Sequence, residues 1–493
     1  MDLILRTEAR LPVDSWRAGG VRIWPLVRIT LYTAGGTVAV PGASLGNPFA
    51  NARMLVRGVA AWAWNSLRDA SHNEPEGRPC DVLFLTSSIG TQPLVQGRRV
   101  NPLLAPYVEL FSEQAWTAGA WEMAPYGHYN TPRHTPSHFM QPAIYLARIA
   151  TLRKAAAVAP SDLAGFDDFL AEVRESGLPF RFLDRAALAR DIAYLLRMAA
   201  AFERGLARSK PRLGAVANYG PQEQAFCLAC SRLGIPTVDI QHGIQGSVHP
   251  AYGPWTRVPA GGYECRPRYF WCWDDASAAT INAWATAPGV GGQAIVGGNA
   301  FADGWRTSAA GAVGRELDAE IAQRKRKSGA SRHILVSLDS LWDVIPAPLA
   351  EAMDIAPRDW CFWLRLHPVN QRAQRRALRK VLRRRNWNLI DWKFTTETPL
   401  PALWRHVDAH LTVNWSTMVA DAAAEGVASV ACTERALEFF PDEARRGMLR
   451  IATTPSAIVE QLNRQIHARR SPIRRAAGAD KAIAFLTTRA SQC

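Results

Sequence analysis

No stretch of the 493 residues reaches the roughly 18 uninterrupted apolar positions of a bilayer-spanning helix, which excludes a helical membrane span. The amino terminus lacks a basic region followed by an apolar run and a small-residue cleavage site, so no secretory leader is expected. Cysteine is sparse and unpatterned. Cys80, Cys227, Cys230, Cys265, Cys272, Cys361, Cys432 and Cys493 stand in mostly apolar contexts without framework spacing, as suits a reducing compartment. These absences together point to a cytoplasmic protein, free to sit on the inner membrane but not to cross it. No repeat of fixed period emerges, which excludes solenoids and propellers. Acid is in deficit: 43 Asp and Glu face 58 Lys and Arg, a formal charge of +15. The partner is therefore expected to be anionic, and nucleic acid, nucleotides, phosphates and acidic membrane surfaces all qualify.

What is present is globular. With 48% hydrophobic and 20% charged residues the chain can bury a core, which excludes a mainly disordered or low-complexity protein. Its length is about twice that at which one core stops growing, so two domains are expected. Residues 81–85, Asp-Val-Leu-Phe-Leu, read as a buried parallel strand running into a polar loop. Tryptophan-rich segments lie before it, and residues 140–210 carry Ala, Leu and Arg at helical spacing, a helical insertion. Residues 213–218, a helix over about 222–233, the 234–236 Gly-Ile-Pro break and residues 237–240 make one strand-helix-strand unit, hence a parallel sheet. A second cycle is expected to begin near 294–299, pass a basic helix ending at 324–327 and restart at 333–338. Strands at 360–365, 388–390 and 409–413 then alternate with helices at 370–386, 401–407 and 417–425, a second doubly wound α/β unit. Ligands of such sheets bind beyond the carboxyl ends of the strands, so chemistry is sought there.

Three strand ends stand out. In the run 239–250, Asp-Ile-Gln-His-Gly-Ile-Gln-Gly-Ser-Val-His-Pro, a His242–Gly243 step directly follows a buried strand. An imidazole there can accept a proton from a hydroxyl, and Gly243 and Gly246 allow close backbone approach. The alternative is a histidine that only hydrogen-bonds a neighbouring loop. Just beyond, His249, Tyr252 and Trp255 offer rings for stacking on sugars, with core packing as the alternative. The second strand end is Leu364-Arg365-Leu366-His367-Pro368, where Arg365 and His367 share a face and suit a diphosphate. The third is Asn414-Trp415-Ser416-Thr417, opening a short helix that Gly426 ends. Hydroxyls and free N–H groups at a helix start bind phosphate, and Asp421 lies one turn on from Thr417.

Taken in order, Gln241-His242-Gly243, Arg365-Leu366-His367-Pro368 and Ser416-Thr417 with Asp421-Ala422 and Gly426 resemble the motifs of bacterial surface-polysaccharide glycosyltransferases of GT-B fold. That group includes capsule-polysaccharide transferases, bacterial sialyltransferases and teichoic-acid glycerophosphotransferases. The resemblance covers residues 210–435 and, more loosely, 81–85 with 101–104; residues 1–75 and 140–205 match nothing. It implies an α/β, GT-B-like fold: two Rossmann-like doubly wound domains facing across a cleft, an acceptor-side domain over 1–290 and a nucleotide-donor domain over 291–493. It implies that Arg365, His367, Ser416 and Thr417 bind the donor phosphate, that Asp421 and Ser337 take the ribose or nucleotide, and that His242 is the base. Gln241, Gly243, Gly246, His249, Tyr252 and Trp255 would form the substrate loop. Where sialyltransferase-like members carry two acids before glycine, this chain has Gln241-His242, closer to the glycerophosphotransferase pattern. Asp421 stands where many members have glutamate, and Ala428 where they usually have proline.

The expected activity is transfer of a sugar from a CMP-, UDP- or GDP-linked donor to a glycan or lipid-linked glycan acceptor of a capsular or lipopolysaccharide, with no cofactor and no metal. Two alternatives stay open: transfer of a polyol phosphate from a CDP donor to a teichoic-acid-like polymer, and a non-catalytic scaffold or glycan-binding subunit. Cys227-Leu-Ala-Cys230 has the spacing of half a zinc site, but Cys265 and Cys272 lack the matching spacing. Asp274-Asp275 reads as a helix cap rather than a metal motif. The basic run 372–385 is a cationic helix face, solvated or docked on anionic inner-membrane lipid. No nucleic-acid recognition motif accompanies it, so nucleic acid is not expected as a partner.

Overall fold

The computed structural model describes residues 1–34, 48–88, 92–124, 129–154, 163–177, 184–306, 311–338, 345–367, 371–467, 471–472 and 478–492. The chain divides into two compact units, one made of residues 1–88, 103–300 and 476–493, the other of 89–102 and 301–475. The sequence suggested a single crossing near 290. The chain leaves the first unit after Ala300 and re-enters it at Ala476, so its last helix, Ala479–Ser491, packs in the first unit through Ala482, Ile483 and Leu486.

In the first unit seven strands form one sheet: β1 (Val82–Ser87), β2 (Ala118–Met123), β3 (His138–Phe139), β4 (Leu213–Val216), β5 (Thr237–Ile240), β6 (Tyr269–Cys272) and β7 (Gln293–Val296). Their order is β3-β2-β1-β4-β5-β6-β7, and every neighbouring pair is parallel. This is the Rossmann order with one further edge strand, and it reverses between β1 and β4. The strands are apolar on both sides because helices cover both faces. Leu83 and Leu85 point into a core shared with helices Gln141–Lys154, Arg185–Ser209 and Pro221–Arg232, while Val82 and Phe84 point into one shared with Ala105–Glu113 and the terminal helix. The helical insertion expected over 140–210 is thus the cover of one face.

A third cluster ties in the amino-terminal segment. Trp16 meets Trp24, Phe166 and Phe169 edge-on at 5.3–5.6 Å, and this aromatic group continues to Tyr252, Trp255, Phe270 and Trp284. Residues 294–296, expected to open the second domain, are instead the edge strand of the first sheet. Trp271 of β6 fixes them: its indole N–H donates to the Gly298 carbonyl at 2.8 Å, and a Cβ at Gly297 would fall 2.1 Å from its ring.

The second unit holds five parallel strands, β8 (Arg332–Ser337), β9 (Trp360–Arg365), β10 (Ala409–Thr412), β11 (Ser429–Ala431) and β12 (Leu449–Ile451), in the order β9-β8-β10-β11-β12. This is the other common doubly wound order, with its switch between β8 and β10. Ile334, Val336, Phe362 and Leu364 face one core and Leu335, Cys361 and Trp363 the other. The strand expected at 388–390 is a single bridge, Leu389 to Phe362, because the chain runs straight on into the helix Trp392–Glu397.

Candidate functional site

The switch point of the second sheet gathers most of the phosphate-side residues. Ser337, the last residue of β8, is in register with Arg365 on one neighbour and Thr412 on the other. The segments after three adjacent strands therefore emerge side by side, within about 5 Å per strand. After β10, the Asn414 side chain accepts from Trp415 N at 2.9 Å, turning the chain so that Ser416 and Thr417 lead into the helix Met418–Ala424. Ser416, Thr417 and Asp421 are half-buried, and the Thr417 side chain makes no cap hydrogen bond. His367 is exposed just past β9, and Pro368 lies outside the described residues. Trp415 is stacked on Phe439, centroids 5.1 Å apart, with the Arg435 guanidinium 4.3 Å from its ring.

Two residues of this group have structural uses that the sequence did not reveal. Arg365 donates from Nη1 to the Thr398 carbonyl at 2.9 Å and also to the Thr395 carbonyl, tying β9 to the end of the helix Trp392–Glu397. Burial brings its guanidinium down to about 10, so it stays charged at neutral pH. Ser337 bonds the imidazole of His410 at 2.9 Å, and the other ring nitrogen of His410 bonds Ser429 at 2.9 Å. That chain pins β8, β10 and β11 together beneath the switch point. Full burial drives His410 down to about 3, so it is neutral.

The His242 loop belongs to the first unit and follows β5. Gln241, 3% exposed, is its anchor: Oε1 accepts from Trp273 N at 2.6 Å, and Nε2 donates to the Gly243 carbonyl at 2.9 Å and to Ser277 at 3.3 Å. His242 is held on that anchor with Nδ1 shielded from solvent and without a hydrogen-bond partner among the described residues. Desolvation brings its imidazole down to about 4, so at neutral pH it is the free base. His249 sits within its electrostatic reach and is driven to about 3, chiefly by burial and then by His242 and Arg28. Its Nδ1 accepts from Ala251 N at 3.1 Å, which leaves the proton to Nε2.

Beneath the loop lies a buried polar network. The Tyr252 hydroxyl donates to Asp239 Oδ2 at 2.7 Å, and burial pushes the Asp239 carboxyl well above the usual carboxylate range. Trp255 lies between two guanidinium groups, Arg28 and Arg266, each 3.8 Å from its ring. Arg28 is fully buried against Glu8 Oε1, 2.5 Å away, and Glu8 Oε2 accepts from Thr256 at 2.7 Å. Tyr252 and Trp255 are thus packed and bonded at 1% and 4% exposure, as the core-packing alternative supposed. Gly246 has room for a Cβ, which would make only an ordinary contact with Ile244 at 3.7 Å. Gly253, which the sequence did not single out, does not: a Cβ there would lie 2.5 Å from the Ser247 carbonyl.

Residues outside the sequence expectation are therefore Asp239, Arg28, Glu8, Arg266, Asn414 and His410. The readable signal was an acid or histidine inside an apolar strand, Thr-Val-Asp-Ile and Ala-His-Leu-Thr. Asp274 caps the helix Asp275–Ala285 by accepting from Ser277 N at 2.8 Å, the cap role expected of it. Cys227, Cys230 and Cys265 are packed in one apolar cluster and Cys272 in another.

No protein-family model and no curated relative matches the sequence. Solved structures do. A Methanocaldococcus jannaschii UDP-GlcNAc 2-epimerase in complex with UDP-GlcNAc and UDP is 12% identical, with a TM-score of 0.51 over 83% of this chain and 99% of that one. The Neisseria meningitidis UDP-GlcNAc 2-epimerase is 13% identical with a TM-score of 0.47, over 83% and 99% of the two chains. The wall teichoic acid polymerase TagF is 9% identical with a TM-score of 0.45, over 91% and 99%. At such identity the likeness speaks for fold alone: the chain is α/β with two Rossmann-like units of GT-B type.

Proposed function

We propose that the protein is a GT-B glycosyltransferase that moves a sugar from a nucleotide-activated donor to a hydroxyl of a surface-polysaccharide acceptor. The observation that carries the reading is His242: an uncharged imidazole beyond a Rossmann strand, one nitrogen shielded and unpartnered among the described residues, in a loop braced by Gln241. As the acceptor oxygen bonds to the anomeric carbon, the imidazole takes its proton, and the bond to the nucleotide phosphate breaks with its electron pair on the departing oxygen. A base brought down to about 4 is weak, so its imidazolium must be favoured by the arriving anionic donor. Ser416, Thr417 and His367 bind the departing phosphate, with Arg365 adding charge from the tip of β9. Asp421 takes the ribose.

Binding by CMP, CDP, UDP, GDP and dTDP, read as thermal stabilisation, tests the donor half of this reading. One nucleotide raises the melting temperature, and Ser416→Ala with Thr417→Ala removes the shift. No shift from any of them at millimolar concentration overturns the transferase in favour of a glycan-binding subunit. A histidine in place of paired acids also favours transfer of a polyol phosphate from a CDP donor. A phosphodiester rather than a glycosidic product linkage identifies that reaction.

A further inference from the structure

The aromatic stack beyond β10 lies outside the cores of the second unit. Trp360 and Trp392 belong to one of those cores and Trp363 and Trp404 to the other, but Trp415 belongs to neither. It is half-buried, and its main-chain N–H is fixed by the Asn414 side chain at 2.9 Å. Phe439, which ends the short helix Ala436–Phe439 after β11, stacks on it with centroids 5.1 Å apart and planes 14° apart, and the Arg435 guanidinium stands 4.3 Å from its ring. Arg435 is also 5.8 Å from the Phe439 ring. Two groups in van der Waals contact with opposite faces of an indole would be at least about 7 Å apart, so Phe439 and Arg435 share one face. Among the described residues no ring or guanidinium covers the other face, and the indole N–H has no hydrogen-bond partner. An indole braced from behind, with a face and a donor to spare, therefore stands at the carboxyl end of the sheet, where ligands of such sheets bind.

We infer that Trp415 is the platform on which the transferred group of the donor lies, and that this group is a cyclic sugar rather than an open-chain polyol. The inference rests on the transferase reading and deepens it. In that reading Asp421 takes the ribose and Ser416 and Thr417 the phosphate. Followed backward through those residues the chain next reaches Trp415, which matches the order of the donor itself: ribose, phosphate, transferred group. A nucleobase would lie on the ribose side instead. The chemistry agrees with this order. A pyranose carries a flat patch of C–H bonds that packs on an indole, and hydroxyls at its edge for the indole N–H, whereas an open-chain polyol has no such patch. Arg435 and Glu438 beside the stack are exposed, so the platform is open, as a subsite must be when an acceptor has to reach the group held there.

The test is titration calorimetry of the full chain with four pairs of probes: UDP and UDP-N-acetylglucosamine, GDP and GDP-mannose, CMP and CMP-N-acetylneuraminate, CDP and CDP-glycerol. One of the three sugar nucleotides binds wild type about tenfold tighter than its own nucleotide, the size of gain one well-packed aromatic contact gives, and CDP-glycerol gains nothing over CDP. Trp415→Ala removes the gain while leaving affinity for the bare nucleotide within about twofold, and Trp415→Phe, which keeps a flat ring, retains most of it. A sugar gain that survives Trp415→Ala overturns the inference. So does a gain by CDP-glycerol alone, or an equal loss for nucleotide and sugar nucleotide in Trp415→Ala, which would assign the indole to the base or to the turn. Wild type that binds a nucleotide but gains from no sugar overturns the inference and leaves the transferase reading standing, whereas wild type that binds no nucleotide overturns both.

Discussion

The loop after β5 in the first unit and the loop after β10 in the second begin alike, as polar residues beyond a buried parallel strand, and diverge in what surrounds them. In the His242 loop the polar groups are buried, and while Asp239 meets Tyr252 within the loop, Glu8 and Arg28 reach Thr256 and Trp255 from far away in sequence. Around Ser416 and Thr417 the bonding is local, a turn made by Asn414 and a helix start, with the hydroxyls half-buried. A desolvated setting fixes protonation and geometry, which suits a group that must handle a proton. A locally built, open setting suits a group that must exchange hydrogen bonds with water for those with a phosphate.

The comparison breaks most sharply at His242. His242→Ala should lower transfer by roughly 100- to 10,000-fold, the range for removal of a general base, with nucleotide affinity unchanged within about threefold. His242→Gln, which keeps much of the volume, should lose as much activity and so separates chemistry from packing. A parallel loss of nucleotide affinity in both variants would mean that the residue only positions donor.

The next effect is on stability. Tyr252→Phe removes the hydroxyl that meets Asp239 Oδ2 and leaves a fully buried carboxyl with one partner fewer, which should cost about 1–3 kcal/mol in denaturant unfolding. Asp239→Asn in the same background should recover part of it, because the two groups act as a pair. A neutral result would place the pair outside the support of the loop. On the open side, Ser416→Ala with Thr417→Ala should weaken nucleotide binding about tenfold, near the net worth of one or two hydrogen bonds, and leave unfolding within about 1 kcal/mol of wild type.

How much of this was legible follows the same divide. The strand Trp360–Arg365 and the strand Thr237–Ile240 were readable to the residue, because strands covered on both faces are unbroken apolar runs. Strand β2, Ala118–Met123, was not, since Gly119 and the buried Glu122 interrupt the pattern and the reasons for them are distant: Gly119 lies under Cys80 and Leu83, and Glu122 accepts from Ser137 at 2.9 Å. Residues 293–296 join the first sheet through a parallel ladder with Tyr269–Cys272, a pairing that no local pattern announces. His242 could be located by its place after a strand, but the desolvation of its ring could not, and neither could the clasp of Trp255 by Arg28 and Arg266, which come from separate stretches of chain. Arg365 showed the reverse error, a cation at a strand tip whose nearest acceptors proved to be main-chain carbonyls.

The smallest effect, and the finest test of the contrast, is a proton at His410. Its folded value of about 3 lies below the 6.5 of a free imidazole, so between those values the unfolded chain takes up a proton that the folded chain refuses. The stabilisation from its neutral form is therefore complete above pH 6.5 and declines as pH falls towards 3. His242 and His249 carry the same sign but feel one another, whereas His410 is held between two serines by desolvation alone. His410→Asn should thus flatten the fall in stability between pH 7 and 5 by up to about one proton's slope relative to wild type, measured as the difference in unfolding free energy at each pH. Nucleotide affinity at pH 7 should stay within about threefold, because Ser337 keeps its place through the strand ladder to Arg365 and Thr412. If affinity instead fell as far as with the Ser416 and Thr417 changes, the His410 pin would be part of the phosphate site, and the second unit too would depend on a desolvated histidine.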